Sequence, residues 1–379
     1  MESSAGITPG FAEKGEHASL LAARQRRSRS AAGALLTREL SPGKFLGLVT
    51  LVCVSIWAIV WAYIVFFPMA YLDRNYPLAI AKAQLTAACP ANDIAVFGDS
   101  RTVAAIMPQE MQLRVTNLGY PGASPVEDYF LVQRLLRCPT PPRLVVLAQS
   151  AALYVGPHAF WDIFAHIGIL NEAELAQVQA DGNRLHDDEL YRMPHPTGVP
   201  YALLPELFGM KFPPLYFSSL LGGYGFARGH FNQVMLQQIK TASGQTLFGN
   251  VQGSDDLSDE AHMADWSVTP LTNEYLLRTL ALLRSHHVPV ALITMPVNDA
   301  TCKVMPAQLQ IRLAAYLKNI TQNDPNVLMA NAQITCWPDR DFTDNAHFNQ
   351  EGAVAYSKAF EIQMRQALNS LPVKAAAND

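Results

Sequence analysis

The sequence predicts an α/β protein: a three-layer α/β/α sandwich around a mostly parallel sheet, with one N-terminal transmembrane helix. Short apolar runs such as Ile94–Phe97 alternate with amphipathic helical stretches, which is the pattern of β-α units. An uncharged stretch of 28 residues runs from Phe45 to Leu72, where about 20 apolar residues suffice to cross a bilayer. The 379 residues leave room for a sizeable core beyond that stretch.

Residues 1–44 carry seven Lys/Arg against four Asp/Glu, a net +3, so the rest of the chain holds −7 of the total −4. This segment is rich in Ala, Gly, Ser and Arg and lacks lasting periodicity, so it reads as a disordered cytoplasmic tail. The membrane anchor follows at 45–67. Trp57, Trp61 and Tyr63 sit toward its far end, as in an interfacial belt, and Pro68 discourages continuation. An apolar run of this length exceeds the h-region of a cleaved signal peptide. The basic tail then sets the orientation: amino terminus inside, residues 73–379 outside.

Residues 73–92 read as a helical stalk. The expected strand Ile94–Phe97 is followed by a helix from Ser100 to Leu113. A short strand, Arg114–Leu118, ends in Gly119-Tyr120-Pro121-Gly122. Pro125–Cys138 is an amphipathic helix and Arg143–Ala148 a buried strand. The alternation then breaks. From about 151 to 270 the chain is rich in Pro, Gly, Tyr and Phe, with helical pieces at Glu172–Gln179 and Phe231–Thr241. This reads as a large insertion on the site face. The alternation resumes with helix Leu271–His287, strand Val288–Met295, helix Pro306–Asn319, strand Val327–Ala330 and helix Gln350–Leu371.

Cys53 lies inside the anchor, and Cys89, Cys138, Cys302 and Cys336 lie beyond it. An even set outside the membrane suggests disulfides, although four cysteines allow three pairings. In the doubly wound order 2-1-3-4-5 the first and third strands are neighbours. Cys89 and Cys138 each precede one of these. Cys302 and Cys336 follow the fourth and fifth strands, so Cys89–Cys138 and Cys302–Cys336 are the expected bridges.

Mild net charge and the lack of a basic stripe argue against nucleic-acid binding. The sequence has no phosphate-binding Gly loop and no dinucleotide fingerprint, so no cofactor is expected. Asp128, Asp162 and Asp299 make no readable carboxylate pair. His158, His166 and His195 have no metal-ligand spacing.

Gly98-Asp99-Ser100 closes the first strand, at the carboxyl edge where open α/β sheets place their sites. Asp344-Asn345-Ala346-His347 lies far downstream. Together they supply Ser100 as nucleophile, His347 as base and Asp344 to orient it. Each motif also has a plain structural reading, as a turn or as a helix start capped by Asp344. The backbone N–H groups of Ser100 and Gly122 are candidate oxyanion donors. Arg101 could steady a charged donor or simply be ion-paired. Tyr154, Phe160, Trp161, Tyr191, Tyr201, Tyr216 and Phe217 could stack on sugar rings or pack an irregular core.

Over roughly residues 90–150 and 288–370 the chain resembles the SGNH/GDSL hydrolase superfamily, whose sheet is flavodoxin-like. Gly98-Asp99-Ser100 looks like its first block, and Asn117 to Gly122 like its second, with Gly122 at the oxyanion position. Asp344-Asn345-Ala346-His347, with Asn349 and Gly352, looks like the last. The third block normally carries an oxyanion Asn. Here the sequence reads Leu147-Ala148-Gln149-Ser150, leaving Ser150 or Gln149 as donor, or a hole of two donors.

With its anchor, the chain is similar to the membrane-anchored members that acylate polymers: the alginate and cellulose O-acetylation proteins and the D-alanyl transfer protein of teichoic acid synthesis. The resemblance implies a periplasmic domain on the bacterial inner membrane and an O-acyltransferase, foremost an O-acetyltransferase. It further implies an acyl-Ser100 intermediate, a polysaccharide acceptor and a membrane-bound O-acyltransferase as donor partner. A carbohydrate esterase and a non-catalytic scaffold of a polysaccharide synthesis complex are the alternatives.

Overall fold

The computed structural model describes residues 41–90, 92–191, 199–222 and 226–371. The expected disordered tail lies outside them, except for its last few residues. The chain divides into two compact units, 1–60 and 61–379.

The first unit holds most of helix α1 (Pro42–Phe66). Its 25 residues are long and apolar enough to cross a membrane. At 1.5 Å rise per residue it measures about 37 Å. Pro42 opens it, a position where proline's missing N–H costs nothing.

In the second unit, α2 (Pro68–Tyr71) and α3 (Asn75–Ala87) lead to the sheet. The expected stalk is instead part of the body: Leu78, Ala81 and Lys82 of α3 are buried. A separate helix, Phe226–Thr241, packs on it, and Asn232 donates to the carbonyls of Met69 and Leu72 at 2.9 Å each.

Five parallel strands form the main sheet. β1 (Ile94–Gly98), β2 (Val115–Asn117) and β3 (Leu144–Gln149) come first. β4 (Val290–Thr294) follows, and the fifth is Val327–Asn331. The spatial order is second, first, third, fourth, fifth. β1, β3 and β4 are buried throughout, which explains their unbroken apolar character. Ile94, Val96, Val146 and Ile293 anchor a core that also takes in Phe342, Phe348 and Phe360. A two-stranded parallel piece, Val297–Asn298 beside Cys336–Trp337, lies apart from this sheet.

The helix after Ser100, α4, ends at Ala105 rather than Leu113. The Asn117 amide donates to the carbonyls of Thr102 and Ile106, at 2.8 and 2.9 Å, and Pro108 biases the preceding residue to extended backbone. Pro125–Leu135 forms α5, opened by a capping box between Ser124 and Glu127. Pro270–Ser285 packs beside it. Within 151–270 the structure has short helices, among them Glu172–Leu185, Leu204–Gly209 and Phe217–Gly222. The last helix, Gln350–Ser370, packs on α4. The bridges are Cys89–Cys138 and Cys302–Cys336.

Candidate active site

The turn that carries Ser100, the candidate nucleophile, is built by what Gly98 permits. Its φ is +144°, and a Cβ there would overlap the Ala148 carbonyl oxygen of the neighbouring strand. Only glycine allows β1 to turn so close to β3. Asp99 then clamps the turn. One carboxylate oxygen accepts from the N–H of Arg101 at 2.9 Å and of Thr102 at 3.3 Å, capping α4. The other accepts from Ser150 N–H at 2.9 Å. Ser100, the first residue of α4, is thus fixed between two strand ends.

His347, the candidate base, arrives on a tight loop. Asp344 Oδ1 accepts from the N–H of Ala346 and of His347, both at 2.8 Å, and Thr343 N–H donates to the His347 carbonyl at 2.8 Å. Asn349 holds the loop from behind. It donates to the Arg340 carbonyl at 2.7 Å and accepts from Gly352 N–H at 3.0 Å. A Cβ on Gly352 would overlap the Asp341 carbonyl, so glycine is needed there. The Cys302–Cys336 bridge sits just before this loop.

These elements bring Ser100, His347 and Asp344 into one chain of hydrogen bonds. His347 Nδ1 lies 2.8 Å from Asp344 Oδ2, and His347 Nε2 lies 2.8 Å from Ser100 Oγ. A carboxylate only accepts, so Nδ1 carries the proton and Nε2 is left to accept from Ser100. Partial burial pushes the Asp344 carboxyl up, but the bonds from His347 and the loop N–H groups outweigh it and hold the carboxyl at about 2. The Phe248 ring lies 4.6 Å from the imidazole, and the Arg74 guanidinium stands 5.0 Å over that same Phe248 ring. Nothing local in the sequence marks Phe248 or Arg74 as site residues; tertiary packing alone brings them there.

The N–H groups of Ser100 and Gly122 donate to no acceptor among the described residues. Gly122 has φ +70°, and a Cβ there would collide with Ala159. Gln149 is corrected as an oxyanion donor: its amide is buried and spent on Asp128 at 2.6 Å. Burial also drives the Asp128 carboxyl well above the ordinary carboxylate range. The Ser150 N–H is likewise spent, on Asp99; its hydroxyl bonds no group among the described residues.

The three candidate substrate residues are corrected as well. Arg101 is buried and paired with Glu260 at 2.7 Å, and it also donates to the Pro296 carbonyl. Tyr154 is 1% exposed and packs on Trp266 and Tyr316. Trp161 is 3% exposed and donates to the Leu190 carbonyl at 2.9 Å. Both rings are core, because an irregular segment has few other ways to bury apolar area. Tyr216 and Phe160 are buried too. His166 stacks on Tyr216 and bonds Ser219, and burial lowers its pKa to about 4. His195 lies outside the described residues. Among the described residues no group of three His, Cys, Asp or Glu could hold a metal ion.

Neither a scan against protein-family models nor a search of the curated proteins finds a match to this chain.

Proposed function

We propose that the chain is an SGNH-type serine O-acyltransferase, foremost an O-acetyltransferase, that modifies an exopolysaccharide or cell-envelope polysaccharide. The observation that carries it is the run of 2.8 Å contacts from Ser100 through His347 to Asp344, beside two unspent backbone N–H groups. In this reading His347 Nε2 takes the Ser100 hydroxyl proton as Oγ attacks the donor's acyl carbon. The N–H groups of Ser100 and Gly122 stabilise the oxyanion, with the Ser150 hydroxyl as third donor. His347 returns the proton to the leaving group, which departs and leaves acyl-Ser100. It then takes the proton of a sugar hydroxyl as that oxygen attacks. The second oxyanion collapses to the sugar ester, and His347 restores the Ser100 hydroxyl. Asp344 stays ionised throughout.

The same reading arranges the helices in layers on both sides of the parallel sheet. It places α1 in a bacterial inner membrane with residues 73–379 in the periplasm. The donor is then a membrane-bound O-acyltransferase partner, and the acceptor a polysaccharide. A carbohydrate esterase uses the same first half-reaction. It is favoured by the openness of the triad, since the Asp344 side chain is 42% exposed and water has access.

Intact mass of the full chain, after incubation with a p-nitrophenyl acetate donor, tests the nucleophile. Wild type should gain one acetyl group and Ser100→Ala none. Faster decay of the adduct with added oligosaccharide, yielding acetylated sugar, supports transfer; decay set by water alone supports the esterase. Equal labelling of wild type and Ser100→Ala would overturn both.

A further inference from the structure

A second site lies at the end of α1 that the proposed acyl transfer does not use. Trp61 Nε1 donates to the Met210 carbonyl at 3.0 Å. Trp61 stands five residues before the end of α1, about 7.5 Å along the axis. The segment after helix Leu204–Gly209 therefore reaches down beside the last turns of an apolar helix long enough to cross a membrane. That segment exposes large apolar side chains: Met210 at 47%, Phe217 at 42% and Leu221 at 87%. Phe66 and Phe67 are exposed as well. Arg228 ties helix Phe217–Gly222 to this region by donating to the carbonyls of Tyr71 and Gly222. Exposed apolar groups gathered at one end of an apolar helix mark a surface made for lipid rather than for water.

A groove of about 270 Å³ opens in this surface, lined by Ile64, Val65, Leu72, Ile80, Ile167 and Lys211 among others. Lys211 is the unusual member. Its backbone is left-handed, with φ +57°, and its ammonium lies 5.5 Å from the Tyr216 ring. It makes no ion pair with any described carboxylate, and burial pulls its pKa down. The other cation at the groove, Arg134, is already paired with Glu174 at 2.6 Å. A half-buried ammonium in a groove that also holds Ile64, Val65, Leu72, Ile80 and Ile167 calls for an anion that brings its own apolar body.

We propose that the groove seats a membrane phospholipid, its phosphate on Lys211 and one acyl chain along Ile64, Val65 and Leu72, with Met210, Phe217 and Leu221 entering the bilayer interface. The proposal rests on α1 spanning a membrane and is independent of the chemistry at Ser100. The lost charge-assisted bond should change lipid occupancy by about tenfold or more.

The test uses the full chain in nanodiscs of dioleoylphosphatidylglycerol, released into native mass spectrometry. Wild type should retain one phosphatidylglycerol, and Ser100→Ala should retain it equally. Lys211→Glu and the neutral Lys211→Gln should lose it about tenfold, whereas Lys211→Arg keeps it. Leu221→Glu, at an exposed position that folding does not need, should weaken retention. Equal retention by Lys211→Glu and wild type would overturn the proposal. So would displacement of the bound species by inorganic phosphate alone, since that would mean a plain anion site.

Discussion

Asp344 decides whether His347 can act as a base at all. The imidazole has two nitrogens, and only a proton on Nδ1 leaves Nε2 bare toward Ser100. Asp344 fixes that proton with contacts of 2.8 and 3.0 Å. Its carboxyl, held at about 2, remains a charged acceptor throughout the neutral range. Asp344→Asn keeps the shape but can present an amide N–H to Nδ1, which favours the wrong tautomer. Acylation of Ser100 should then fall by about 10³- to 10⁴-fold with little change in melting temperature. The acyl adduct followed over time by intact mass measures this, and a rate near that of wild type would remove Asp344 from the site. Asp99 sits one residue from Ser100 but has a different task. Both its oxygens are spent on backbone N–H groups, so it shapes the turn rather than the chemistry.

At the scale of elements, the start of α5 links stability to the Gly122 loop. Ser124 follows Gly122 by two residues, and Glu127 Oε2 accepts from its N–H at 2.8 Å and its hydroxyl at 2.6 Å. Glu127 Oε1 is buried without a partner among the described residues. Burial raises the Glu127 carboxyl to about 7, and the Ser124 bonds only partly offset it. The folded protein therefore holds a proton that the unfolded chain releases near 4.5. This stabilisation is complete below pH 4.5 and is lost as pH rises through about 7. Glu127→Gln keeps the acceptor and removes the titration, so the fall in melting temperature across that window should flatten. Asp128, also raised by burial, supplies the slope that remains. An unchanged slope in the variant would place the titration elsewhere. The elements themselves were legible where local pattern decides them. Ile94–Phe97 and Leu144–Ala148 are apolar without a break because both faces of their strands are covered. The meeting of Ser100, Asp344 and His347 was legible because their residue types and chain order are those such a hydrogen-bonded chain needs. The end of α4 was not, because Asn117 sets it from another element. Nor was the burial of Arg101, whose partner Glu260 lies 159 residues away and has no local signature.

For the whole molecule, the decisive quantity is the charge imbalance across α1. From Arg24 to Lys44 the chain carries six Lys/Arg; over the 21 residues after Phe66 it carries only Arg74 and Lys82. Positive charge near the ends of a span resists translocation, so in the proposed topology this bias keeps the tail inside and the Ser100 domain outside. The domain's disulfides fit that side, because an oxidising compartment is where Cys89–Cys138 and Cys302–Cys336 persist. Alkaline phosphatase, active only outside the cytoplasm, reports the outcome when fused to the carboxyl end. The wild-type fusion should be active in whole cells. Replacing Arg24, Arg26, Arg27, Arg29 and Arg38 by alanine leaves Lys44 facing Arg74 and Lys82 and removes the bias. That variant should populate both orientations and lose a substantial part of its reporter activity at equal expression. Undiminished activity would show that a determinant other than the tail charge orients the chain, and the long folded domain after the span would be the next to test.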